Sequence, residues 1–293
     1  MTDVSSSVLI QTLASGLLWG FVYALIALGL TVIFGVMDIV NFAHGDFLMI
    51  SMFVAYIFNT SLFGLSALAS LPLNALVLFV FGVIIYKILI KPVLTAPPLA
   101  QIFSTFGLLV FLRGAAQFIF SADYKTLEHL NFQGRVDLFG IFLSKPQMVA
   151  AVGAIVMFVA FYLFITKTKT GWALLAVAEN KQAAALMGID SDRMYALAWG
   201  LGAACVGVAG ALLANFYYVF PEVGAVFGFL AFVTVALGGF GSIQGAFWAG
   251  LIIGITEALA GTFIAPSLKY LVVFSIYLLV VLIRPRGLMG HTS

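Results

Sequence analysis

Residues 9–34 read LIQTLASGLLWGFVYALIALGLTVIF, twenty-six positions without one Asp, Glu, Lys, Arg or His. About 20 residues of apolar helix cross a hydrocarbon core about 30 Å thick. This stretch therefore predicts a membrane span by itself. Comparable stretches lie near 66–86, 99–120, 147–166, 195–219 and 267–283. Two further apolar regions divide less cleanly: 45–61 is short for a full span, and 226–262 reads as two short helices, 226–239 and 244–262, broken at GGFGS (238–242). So many glycines do not hold a helix, and the backbone groups they free must be covered by protein or line a cavity. The expectation is an all-α polytopic integral membrane protein of eight or nine spans. It forms one transmembrane domain over 1–293, with short or broken helices near 36–47 and 226–262.

Composition points the same way. Hydrophobic residues make up 63% of the chain and charged residues 8%, with a mean hydropathy of +1.18, whereas soluble domains carry about 25% charged residues. The apolar runs are too long for the strands of a membrane barrel, which have about 10 residues. A net charge of +2 gives no reason to expect a nucleic-acid partner. The single Cys205 excludes a disulfide framework and a cysteine metal site. MTDVSSS at the start has no basic residue before the first apolar run, unlike a cleavable signal peptide.

Basic residues flanking the spans set orientation. Lys87 and Lys91 mark one connection, Lys167, Lys169, Lys181 and Arg193 a second, and Arg284 and Arg286 the end of the chain. Nine spans with the N-terminus outside put all three groups in the cytoplasm and the mixed-charge 121–145 loop outside.

Between the first spans, residues 36–47 read VMDIVNFAHGDF. An interrupted helix here leaves Asp38, Asn41, His44 and Gly45 either lining a transport path or shaping a gate. In the plainer alternative Asp38 and Asn41 cap helices at a cytoplasmic turn, where His44 is solvated and Asp46 has no special part. Gly238, Gly239 and Gly241 form a second interruption. TVIFGVMDIVNFAHGDF (31–47) and TVALGGFGSIQGAF (234–247) share a Thr-Val start, a central Gly and a Gly-x-Phe or Gly-Ala-Phe ending, suggesting an internal repeat of the kind that brackets transport sites. Ala246, Gly250, Gly254 and Ala258 recur every fourth residue, a spacing that lets two membrane helices approach closely, within this chain or against a second membrane subunit. Glu257, in the same span, is a functional candidate because ionisable groups are costly there; at its depth it can also reach external headgroups.

The 167–193 segment is polar-rich. From Trp172 to Met187 its Ala and Leu content predicts helix, with Gly188 as C-cap and Asp190 or Ser191 capping the next helix. Leu174, Leu175, Ala178 and Leu186 make an apolar stripe, leaving Glu179, Lys181 and Gln182 off it. Such a helix lies on a membrane surface or docks into a partner's groove.

The pattern T-x-x-G-x-A-x-x-A-x-A-E-x-x-x-x-A-x-L-x-G-I, from Thr168 to Ile189, resembles the cytoplasmic coupling segment of branched-chain amino acid ABC-transporter permeases. NFAHGD (41–46), LGGFGSIQGAFWAG (237–250) and RPRGLMG (284–290) resemble the signatures of the same family, in its order. Where that family usually carries basic residues this chain has Trp172 and Leu175, a less basic partner surface. The resemblance implies a bacterial inner-membrane permease subunit that works with a second, homologous permease, two cytoplasmic ATP-binding subunits and an external substrate-binding protein. The cargo would be a branched-chain or related amino acid, or a similar small polar solute. Gly171, Ala173, Ala176, Glu179, Leu186 and Gly188 would couple the chain to the ATPases. The chain lacks G-x-x-x-x-G-K-[ST], so ATP and Mg would be used by the partner subunits, with no cofactor bound here and no enzymatic activity of its own. The alternative is an ion- or proton-coupled carrier, or a channel, using Asp38, His44 and Glu257.

Overall fold

The first apolar stretch is part of a longer helix, α1 (Thr2–Met37), in the computed structural model, which describes residues 2–62, 64–128, 130, 132–138 and 140–290. Met1 and 291–293, the extremes of the expected single domain, lie outside the described residues. Next come α2 (His44–Ile57), α3 (Leu71–Ile85, carried on by tighter and wider turns to Val93) and α4 (Pro98–Phe120). Beyond a small hairpin, β1 (Arg135–Leu138) and β2 (Ile141–Ser144), lie α5 (Lys145–Lys167), α6 (Lys169–Glu179), α7 (Lys181–Leu186) and α8 (Ser191–Ala214). The chain closes with α9 (Val223–Gly238), α10 (Ile243–Phe263) and α11 (Lys269–Ile283). Among the described residues, seven helices are long and apolar enough to cross a membrane, and α9 is a shorter apolar helix. The fold is all-α and polytopic. The hairpin is an element that apolar patterning did not anticipate.

Helix ends follow local chemistry. Asp190 accepts from the Asp192 and Arg193 amides at the start of α8, Ser242 Oγ accepts from Gly245 N at the start of α10, and Asn180 Oδ1 accepts from Ala183 N at the start of α7. Each cap satisfies a donor that the helix itself leaves free.

Two helix pairs dominate the bundle, α1 with α10 and α3 with α8. The first is antiparallel and built on the four-residue ridge: a Cβ on Gly250 would meet Ala24, and one on Gly254 would lie 2.5 Å from Gly20 Cα. Ala246 is fully buried, and Ala258 Cβ lies 2.9 Å from where a Cβ on Gly16 would sit. The ridge is thus spent within the chain, where small residues let backbones close up and gain dispersion contacts.

The pairing discloses an internal repeat, but not the one the sequence suggested. Helix α8 runs opposite to α1: Gly29 meets Gly202 and Trp19 meets Phe216. Each of these long helices is followed by a connection that turns back into the bundle (38–43 and 215–222) and then by a short helix, α2 or α9. Next comes the long partner, α3 against α8 and α10 against α1. Residues 234–247 are the α9–α10 turn and correspond to no re-entrant connection, so the 31–47 and 234–247 match is a local likeness only.

The end of the bundle where α1 begins also holds the hairpin, tied by Gln11 to the backbone of Phe142. At the opposite end, Lys91 pairs with Asp192 at 2.7 Å and Lys181 lies 5.2 Å from the Tyr195 ring centroid. There too the C-terminal tail docks, Leu288 N donating to Leu237 O and Met289 N to Gly238 O.

Candidate functional site

Helix α2 starts inside the bundle. Asp38, at φ 56°, reverses the chain after α1, and the connection carries Ile39, Asn41 and Ala43 into full burial. Asn41 Oδ1 accepts from Ala43 N at 3.1 Å, and Thr105 Oγ1 donates to Val40 O at 3.2 Å, replacing hydrogen bonds the broken helix lacks. His44 is 0% exposed; its Nε2–H donates to Ile26 O at 2.9 Å. His44 Nδ1 and Asn41 Nδ2 are buried without a partner among the described residues. Gly45 meets the start of α9: a Cβ there would sit 2.6 Å from Gly228 Cα, and one on Gly224 would sit 2.5 Å from Gly45 O. The first turns of two short helices therefore cross by backbone contact.

This geometry corrects the plainer view of the stretch. His44 is sealed rather than solvated, and Asp46 is a central residue. Asp46 Oδ1 accepts from Arg113 Nε at 2.7 Å, with the Asp46 side chain 1% exposed and Arg113 27%. An aspartate buried this fully requires such a partner. Sequence reasoning missed Arg113, Gly224 and Gly228. A lone arginine in the apolar span 98–120 was the available signal for the first, and glycines four apart for the other two.

Gly238, Gly239 and Gly241 do not join this crossing. They form the tight α9–α10 turn at the opposite end of the bundle, where Gly239 packs on Arg286 and Gly290, and Gly241 on Gly35. Glu257 is also elsewhere and does not reach headgroups: it is buried, accepting from Tyr23 Oη at 2.6 Å and from Lys269 Nζ at 2.6 Å. Asp38 is exposed, His44 sealed and Glu257 paired, so the ligand set of the ion-coupled alternative is not assembled. Among the described residues no group of three or more His, Cys, Asp or Glu could hold a metal ion.

The expected single helix over 172–187 is two. Thr168 Oγ1 accepts from Gly171 N at 3.0 Å and starts α6; α6 ends at Glu179, and Asn180 begins α7. Gly171 lets the chain double back: a Cβ there would fall 2.6 Å from Ile165 Cα at the end of α5. The face turned into the bundle is Gly171, Leu174, Val177 and Ala184; of the apolar stripe, Leu174 lies on that face, whereas Leu175 is 47% and Leu186 90% exposed and Ala178 also faces out. Ala173 and Ala176 are half-buried, and Glu179 is exposed. Gly188 ends α7 at φ 81°, with Ile189 N donating to Ala184 O at 3.1 Å. Against the bundle, α6 contacts α5, α1 and α8, while Leu186 and Met187 project from the tip.

Comparison with known proteins gives this arrangement a setting. The family described as "Branched-chain amino acid transport system / permease component" matches residues 12–282. BraD of Pseudomonas aeruginosa, a high-affinity branched-chain amino acid transport system permease protein, is 34% identical over 96% of this chain and 96% of its own. LivH of Escherichia coli K12, which carries the same description, is 33% identical over 96% of each chain. Among solved structures, PsaBC from Streptococcus pneumoniae in complex with Fab aligns over 94% of this chain and 92% of that one, at 15% identity and a TM-score of 0.49.

Proposed function

The chain belongs to the branched-chain amino acid transport permease family, and from that premise we propose that it is the membrane-spanning permease of an ABC importer for neutral amino acids. It sits in a bacterial inner membrane with the α6–α7 end in the cytoplasm, the side favoured by Lys87, Lys91, Lys167, Lys169, Lys181, Arg193, Arg284 and Arg286. A second permease, two ATP-binding subunits and an external binding protein complete the assembly.

The observation that carries this reading is the α6–α7 segment. Two short capped helices hold Leu174 and Val177 in the bundle and present Leu186, Met187, Trp172 and Leu175 outward. An exposed apolar tip rimmed by polar residues is what a partner groove takes up. ATP-driven closure of the ATPases would move this tip. Motion passes from α6 into α5, α1 and α8, and α8 holds Gly202 against Gly29 beside the His44 ring. The joint that yields is the α2–α9 crossing. Its two unpartnered atoms, His44 Nδ1 and Asn41 Nδ2, can be satisfied in a second arrangement, as a bistable element requires. Transport then alternates between faces with no covalent step.

Co-expression with an ATP-binding subunit of a branched-chain amino acid importer from the same source tests this. The wild-type chain should co-purify with the ATPase, and Leu186→Asp combined with Met187→Asp should not, while the variant inserts at normal yield. Undiminished co-purification would leave α6–α7 as a surface helix pair.

A further inference from the structure

A cavity of about 350 Å³ lies between α1, α9, α10 and α11, a volume at the lower end of small-molecule sites, about 300–1,000 Å³. Its wall holds the Glu257–Lys269 ion pair, with the Glu257 side chain 10% and Lys269 33% exposed. Aromatic rings make up much of the remainder, with the hydroxyls of Ser15 and Thr262 also on the wall: Trp19 stacks on Phe227 with centroids 6.4 Å apart, Tyr217 meets Phe227 edge-on at 5.3 Å, and the Lys269 ammonium lies 4.7 Å from the Tyr270 centroid. Gly261 leaves room beside the charges, a Cβ there having no neighbour nearer than 3.9 Å.

Such a pair is not explained by stability. Replacing a buried ion pair with apolar side chains is often neutral or stabilising. What the pair does provide is a wall of net charge zero that offers a cation and an anion side by side, 2.6 Å apart. A molecule bearing both an ammonium and a carboxylate can enter the cavity and exchange one ion pair for two, ammonium on Glu257 and carboxylate on Lys269. A molecule with a third charge would leave that charge unpaired among aromatic rings, at high cost.

We propose that this cavity is a transit site for a neutral amino acid, with Glu257 and Lys269 orienting the zwitterion and Trp19, Tyr217 and Phe227 packing on an apolar side chain. The assignment rests on the importer reading and adds to it a place and a charge rule. It makes the charged wall a selectivity element behind whatever the binding protein delivers.

The test uses the complete importer in proteoliposomes, following ATP-driven leucine and alanine uptake alongside binding-protein-stimulated ATP hydrolysis. The charge-reversed double variant Glu257→Lys/Lys269→Glu keeps an ion pair but exchanges its ends; leucine uptake should fall about tenfold or more while hydrolysis stays within about twofold of wild type. Gly261→Leu adds bulk to the cavity beside the Lys269 stem, whose Cδ would lie 3.9 Å from a Cβ there, while leaving both charges in place. It should lower the leucine-to-alanine uptake ratio about fivefold or more, and it serves if the reversed pair fails to assemble. Uptake restored to wild-type level by the reversed pair, or an unchanged ratio in Gly261→Leu, overturns the assignment and leaves the importer reading standing. A wild-type complex that carries no neutral amino acid on ATP sinks both.

Discussion

Gly45 and Gly224 touch through their backbones, and each lies where the other's helix begins: a Cβ added to Gly224 would sit 2.5 Å from Gly45 O. No side chain fits between them, so Gly45→Leu and Gly224→Leu should each reduce ATP-driven uptake about tenfold or more, since overpacking of about 1–3 kcal/mol or more is forced on the joint. Asp38→Asn and His44→Gln keep hydrogen-bonding capacity and should retain most transport. Uptake per purified complex checks this. Loss in Asp38→Asn with Gly45→Leu intact would mean that charge, not close approach, matters at this stretch.

Asp46 and Arg113 make a different prediction. Removing the guanidinium by Arg113→Leu strands a buried carboxylate, a change worth about 3–5 kcal/mol. The Tm of the purified permease should drop clearly, and Asp46→Leu/Arg113→Leu should recover most of it. A double variant less stable than Arg113→Leu would mean the pair contributes net stability of its own.

The two faces of α6 should separate by phenotype. Leu174→Asp places a charge at a 1% exposed position and should abolish accumulation of folded protein. Glu179→Lys, on the exposed face, should insert normally and lose uptake. Normal transport in Glu179→Lys would remove that residue from the partner contact.

Sidedness is open to direct labelling in a Cys205→Ala background. Cysteine at Lys125 should react with an impermeant maleimide from outside the cell, and cysteine at Lys181 should not. Native Cys205, 0% exposed, should react from neither side. The reverse pattern would invert the topology.

How much of this was legible in the residues depends on what each feature needs. Spans such as 9–34 and 99–120 declare themselves because lipid demands uniform apolarity over a known length. Caps such as Asp190 and Gly188 are local, and they fell where short-range chemistry puts them. The burial of Asp46 was not legible, because its partner stands on a helix 67 residues away. Nor was the split at Asn180: Ala-rich sequence on both sides favours helix, and the sharp turn at Gly171 is set by the end of α5. The true repeat escaped notice because it is one of topology, long helix, inward connection and short helix, carried by different residues in each half.

The central claim is that this chain transports on energy supplied by separate ATPase subunits through α6–α7. The most direct measurement is amino-acid uptake into proteoliposomes holding both permeases and supplied with the binding protein, with and without the ATPase, after ion gradients have been collapsed by ionophores. Uptake is expected only when both ATPase and ATP are present, unaffected by the ionophores and lost in Leu186→Asp/Met187→Asp. Uptake that persists without the ATPase and follows a proton or sodium gradient would contradict it.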